Sequence, residues 1–146
     1  MEIRSYSKFD IAVGQIDTAI GLYIQGADPF SSLTLAGAGE EILRGFLLKS
    51  GKTPVIEDLG AAIAEIKKIH TGQPVSLQEG KSILNKPRNS AKHLDIKDDE
   101  IVQADPIYNA HDMIMRAVSN YHRLTSHYTT NMISFLQQAA FKPRKA

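Results

Sequence analysis

The 146-residue sequence predicts an all-α fold, a compact bundle of five or six helices joined by short connections. Three observations carry this. Apolar residues recur at spacings of three and four along almost the whole chain. No run of alternating apolar and polar residues marks a strand. Three cap-then-proline pairs, Asp28-Pro29, Thr53-Pro54 and Asp105-Pro106, stand where helices would begin.

Taken in order, Phe9, Val13, Ile16, Ile20 and Tyr23 give a first stripe from about Ser7 to Gln25, closed by Gly26. Asp28 as cap and Pro29 as first helical residue open a second helix, expected to run to Lys49 and to stop at Ser50-Gly51. Its middle, Leu35-Ala36-Gly37-Ala38-Gly39, is small. Glycines weaken a helix, so their expected use is to let another backbone approach. After Thr53-Pro54, a third stripe of Ile56, Leu59, Ile63, Ile66 and Ile69 ends near His70-Thr71-Gly72. A short helix is expected over Ser76–Leu84, broken by Asn85-Lys86-Pro87, with Pro87 starting a new turn or two through His93. An acidic loop, Asp95 to Glu100, follows. Asp105-Pro106 opens what should be the longest helix, with Ile107, Ala110, Ile114, Val118, Tyr121 and Thr125 inward. A last helix covers Thr129–Ala140, and residues 141–146 form a basic tail.

The composition, 42% hydrophobic and 23% charged, fits one globular domain over residues 1–146. A net charge of +1 offers no global pull toward nucleic acid, so any phosphate binding must come from a local patch. The absence of cysteine removes disulfides, thiolate metal sites and cysteine nucleophiles. The charged N-terminus does not read as a signal peptide, and no run reaches the ~18 apolar residues of a membrane span. The expectation is a cytoplasmic protein.

Chemistry concentrates in Arg88-Asn89-Ser90-Ala91-Lys92-His93, a permanent cation five residues before the side chain best suited to proton transfer near neutral pH. Five residues turn an ideal helix by about 500°, leaving Arg88 and His93 roughly 140° apart. They can border one groove only against a helix end or a second subunit. A helix starting at Pro87 would offer unpaired N–H groups to an anion, and Lys86 and Lys92 add charge. The competing explanation is that Arg88 pairs with Asp95 or a glutamate while His93 ends a helix.

Two segments of the chain, Ile16–Arg44 (IDTAIGLYIQGADPFSSLTLAGAGEEILR) and RNSAKH at 88–93, resemble a family of bacterial helical proteins of the HEPN superfamily. Its members are all-α bundles, commonly dimers, and many carry an arginine, four to six residues, and a histidine, with a polar residue after the arginine. Arg88, Asn89 and His93 match that pattern. The resemblance implies a homodimer that binds a nucleotide or RNA phosphate through Arg88 and Lys92 and needs no cofactor or metal. In catalytic members it further implies RNA cleavage, with Arg88 neutralising the phosphate, Asn89 orienting it and His93 moving the proton across a two-fold cleft. Other members keep the fold without activity. The acidic run Asp98-Asp99-Glu100 and the near-neutral charge depart from a ribonuclease pattern. The alternative is a non-catalytic helical module that binds a protein partner, of toxin–antitoxin or stress-response type.

A third class, a metal-dependent bundle enzyme, would use His111, Asp112 and His122, the last eleven residues on along one helix face, with His127 beyond. No second carboxylate–histidine pair completes it. Glu40-Glu41 lacks the glutamate-x-x-histidine spacing of a di-metal bundle and is explained by a solvated face or a Glu40–Arg44 link. No phosphate loop or nucleophile elbow occurs. Tyr23 and Tyr121 lie on apolar stripes and read as core, whereas Tyr108 sits where it could face outward.

Overall fold

The computed structural model describes residues 1–94 and 100–141. Among them are six helices and no strand: α1 (Lys8–Ile24), α2 (Pro29–Lys49), α3 (Val55–Thr71), α4 (Leu77–Lys92), α5 (Pro106–Thr125) and α6 (Thr130–Phe141). The all-α bundle is the fold of the chain. Segment 95–99 of the expected acidic loop, and the basic tail from 142 onward, lie outside the described residues.

Local chemistry sets most helix starts. The hydroxyl of Ser7 accepts from the Asp10 N–H, and that of Ser76 from the Glu79 N–H. Asp28 accepts from the Ser31 N–H at 2.8 Å ahead of Pro29, and Asp105 accepts from Tyr108 at 3.0 Å ahead of Pro106. Hydrogen bonds from Ser31 hold the Asp28 carboxyl below its ordinary pKa. That contribution is complete above the ordinary carboxylate pKa and is lost as pH falls through the lowered one. Thr129 caps α6 by accepting from Met132 while donating to Asp17 at 2.8 Å, which ties α6 to α1.

The third start differs from expectation by one residue. Pro54 is the cap and has no side chain to offer, so Val55 begins α3. Its N–H is satisfied from a distance instead, by Asn120 Oδ1 of α5 at 2.9 Å. A larger correction concerns α4. Pro87 does not start a helix but lies inside one that runs unbroken from Leu77 to Lys92. Pro87 has no N–H for the Ile83 carbonyl, yet Ile83 is on an exposed face where water can take it. The residues just before it are anchored: Arg116 donates to the Leu84 carbonyl at 3.2 Å and to Asn85 Oδ1 at 2.9 Å. Tertiary hydrogen bonds thus carry the helix across the proline. α2, with 21 residues, exceeds α5, with 20, as the longest helix.

α2 is the central helix, packed on α1 and on α5. The shared core takes Ile16 and Ile20 from α1, Leu33 and Leu43 from α2, Ile114 and Val118 from α5, and Met132 and Phe135 from α6. Tyr23 and Tyr121 border this core as expected. A Cβ on Gly39 would lie 2.9 Å from the Ala12 carbonyl oxygen, so this glycine admits the α1 backbone as anticipated. Gly37 makes room for a side chain instead, the stem of Arg88.

α3 and α4 pack mainly on each other and touch the core more lightly, α4 through α2 and α3 through α5. The outer half of the α3 stripe is therefore not inside: Ile66 is 50% and Ile69 78% exposed. Ile107, also expected inward, faces solvent on the first turn of α5.

Candidate functional site

Between α2, α4 and the start of α3 lies a polar cleft of about 250 Å³. α2 contributes Glu40, Glu41 and Arg44, α3 contributes Ile56, and α4 contributes Gln78, Lys81, Ser82, Asn85, Arg88 and Asn89. The α4 residues recur at spacings of three and four, so one helix face supplies them.

Arg88 is the most constrained of these groups. Its side chain is 12% exposed and passes over Gly37, where a Cβ would collide with the arginine's Cδ and Cγ. The guanidinium lies 3.5 Å from Glu41 Oε2, 3.5 Å from the Gly37 carbonyl, and 3.4 Å from Asn89 Oδ1 through both Nε and Nη2. None of these reaches the roughly 2.7–2.9 Å of a tight charge-assisted bond. Other cations of the chain do: Lys81 meets Glu57 at 2.7 Å and Arg123 meets Asp58 at 2.8 Å. Among the described residues Arg88 is a sequestered cation with only loose partners, and it borders the cleft. Arg44 joins it, with its own nearest carboxylate, Glu41 again, at 4.0 Å.

Behind the cleft is a buried polar network that the sequence did not disclose. Glu40 and Arg116 are each 1% exposed and Asn120 is fully buried. Glu40 Oε1 faces Arg116 Nη2 at 3.6 Å and accepts from Asn120 Nδ2 at 3.2 Å. The expected Glu40–Arg44 link on a solvated face is thereby corrected: Glu41 takes the link to Arg44, while Glu40 turns inward. Arg116 also holds Asn85 Oδ1, leaving the Asn85 amide N–H groups as the donors it can present to the cleft. Arg116 sits among Met113, Ile114 and Ala117 on the buried face of α5. A cation on that face was the available signal.

The four residues singled out in the motif separate. Arg88 and Asn89 line the cleft; Lys92 and His93 do not. His93 caps the C-terminus of α4 in extended backbone, donates its N–H to the Asn89 carbonyl at 3.1 Å, and is exposed. The expected helix N-terminus is absent here, because α4 begins eleven residues before Arg88, at Leu77. The motif lies at the carbonyl end of the helix, whose partial negative charge favours cations, not phosphate. The side chains of Arg88 and Asn89 must supply the attraction. Of the two expectations for the motif, pairing of Arg88 with a glutamate, Glu41, is what the described residues display; Asp95 lies outside them.

The histidine column on α5 is also dispersed. Eleven residues separate His111 from His122, roughly 16 Å of helix rise, too far for one ion. His111 packs between Tyr23 and Phe135, with ring centroids at 5.9 and 5.2 Å. His122 stacks on Tyr128 at 4.5 Å. His111 and Asp112 line a groove with Tyr108, which is outward-facing, but no group of three or more metal-ligating side chains assembles among the described residues. Elemental analysis of protein purified without added metal should find no stoichiometric zinc, iron or manganese. About one metal per chain, lost in His111→Ala and Asp112→Ala variants, would reverse this.

Comparison of the chain with family models, curated proteins and solved structures finds no match. No helix among the described residues is long and apolar enough to cross a membrane.

Proposed function

We propose that this protein is a HEPN-like helical module that binds the phosphate of a nucleotide or RNA in the α2–α4 cleft, with Arg88 as anchor. One observation carries the reading: the Arg88 side chain is 12% exposed and passes over Gly37, and among the described residues its guanidinium's polar contacts are all 3.4 Å or longer. Desolvating a cation without tight partners is costly, and an oxyanion ligand offsets that cost. Arg44 adds charge, while Asn85 and Asn89 add amides that can donate to phosphate oxygens.

Strand cleavage by His93 is the further step the resemblance implies. Within one chain His93 is outside the cleft, so that step requires a second copy to bring its own His93 to Arg88, in a homodimer. In that arrangement Arg88 neutralises the phosphate and His93 serves as general acid or base. The second reading, a non-catalytic module for a protein partner, is favoured by the Arg88–Glu41 pairing and by the exposed isoleucines of α3.

Calorimetric titration with adenosine 5′-monophosphate and with a short 5′-phosphorylated RNA tests the binding. Arg88→Ala should weaken it by at least about tenfold, the worth of a charge-assisted hydrogen bond. His93→Ala should leave binding unchanged. Where the wild type cleaves RNA in chelator, His93→Ala should lower the rate by roughly 10²–10⁴-fold. Cleavage unchanged in both variants would remove the catalytic step. Equal binding by wild type and Arg88→Ala would remove the cleft itself.

A further inference from the structure

Glu41 stands where a ligand's oxyanion would sit. Its two carboxylate oxygens point to different cations, Oε2 to Arg88 at 3.5 Å and Oε1 to Arg44 at 4.0 Å. One carboxylate therefore spans two guanidinia without a tight bond to either. It is also 52% exposed, unlike its neighbour Glu40, so it can leave for water without disturbing the core. We infer that Glu41 is a tethered competitor for the phosphate seat, and that the two guanidinium charges its displacement frees select phosphomonoesters over phosphodiesters. This rests on the phosphate-binding reading above.

Charge arithmetic decides the selection. A phosphodiester brings one negative charge. Exchanging Glu41 for it leaves the charge of the cleft unchanged, and the tethered carboxylate keeps the advantage of high effective concentration. A phosphomonoester brings about −1.5 to −2 at neutral pH, with three acceptor oxygens. It can engage Arg44 and Arg88 together, two cations that Glu41 alone leaves with one positive charge in excess, whereas Lys81 is already matched by Glu57 at 2.7 Å. Losing the loose Glu41 contacts costs little, since half-exposed ion pairs are weak.

The lining of the cleft points the same way. Among the described residues it contains no aromatic side chain on which bases could stack, and its 250 Å³ is small for a polynucleotide track. Recognition must fall on the phosphate group. An RNA would enter through a terminal phosphate, not along its backbone, and the strand-cleavage step would then lack a seated phosphodiester.

The test is calorimetric titration of the full chain with adenosine 5′-monophosphate and with adenosine 3′,5′-cyclic monophosphate, which share base and sugar and differ in the ester. The monoester should bind at least about tenfold more tightly. Glu41→Gln, on a half-exposed site, should tighten both ligands by about two- to fivefold. Cyclic nucleotide binding as tightly as the monoester would overturn the inference while leaving phosphate binding in place. So would Glu41→Gln leaving both affinities unchanged or weakened. Failure of both ligands to bind wild type and Glu41→Gln, with the helical signal intact, would end the phosphate-binding reading and the inference together.

Discussion

Replacing Arg116 with methionine should destabilise the protein by about 3–5 kcal/mol, the cost of leaving a buried partner charge uncompensated. Glu40 is 1% exposed and would keep only the Asn120 amide as partner. The same change releases the Leu84 carbonyl and Asn85, the two anchors that hold α4 just before Pro87. Urea denaturation of the single variant measures the loss. The double variant Glu40→Leu, Arg116→Met should recover most of it, because two apolar residues of similar volume replace a pair whose desolvation is itself expensive. A single-variant loss below about 1 kcal/mol would mean that water reaches the Glu40 carboxylate. The double variant also separates stability from function: if it folds but holds phosphate more weakly, Arg116 serves the cleft through Asn85.

Gly80→Ala is the second large effect, and its sign is informative. In a free helix this change stabilises by up to about 1 kcal/mol. Here a Cβ would run into the Gly60 carbonyl of α3, with the Gly60 Cα and carbonyl carbon close behind. A backbone oxygen cannot rotate away, so α3 and α4 would have to separate. The expected result is a net loss of about 1–3 kcal/mol, the usual cost of overpacking. A rise in thermal midpoint would contradict the close Gly60–Gly80 approach. Because α4 carries Lys81, Asn85, Arg88 and Asn89, the same shift should weaken the proposed phosphate binding beyond what the stability loss explains.

Much of this architecture was legible in the sequence for local reasons. The threefold and fourfold apolar spacing of α1, α2 and α5, and the Asp28-Pro29 and Asp105-Pro106 starts, depend on neighbours within one turn. Arg88 and Asn89 were singled out by residue type and do line the cleft. Tertiary structure decided the rest. Pro87 lies within α4 because Arg116, 29 residues later in the chain, holds the carbonyl of Leu84. Ile66 and Ile69 stay exposed because α3 rests on α4 rather than on the core, a choice the stripe alone does not contain.

The division between Glu40 and Glu41 makes the physical reason plain. The two are adjacent, identical in chemistry and on the same helix, so local propensity treats them alike. They lie about 100° apart around α2. That rotation sends Glu40 into the core, where Arg116 and Asn120 of α5 compensate its charge, and leaves Glu41 at the cleft rim between Arg44 and Arg88. Charge, periodicity and caps are properties of the chain by itself. Which carboxylate is buried, and which cation is left loosely paired, depends on partners 47 to 80 residues away and exists only once the helices have packed.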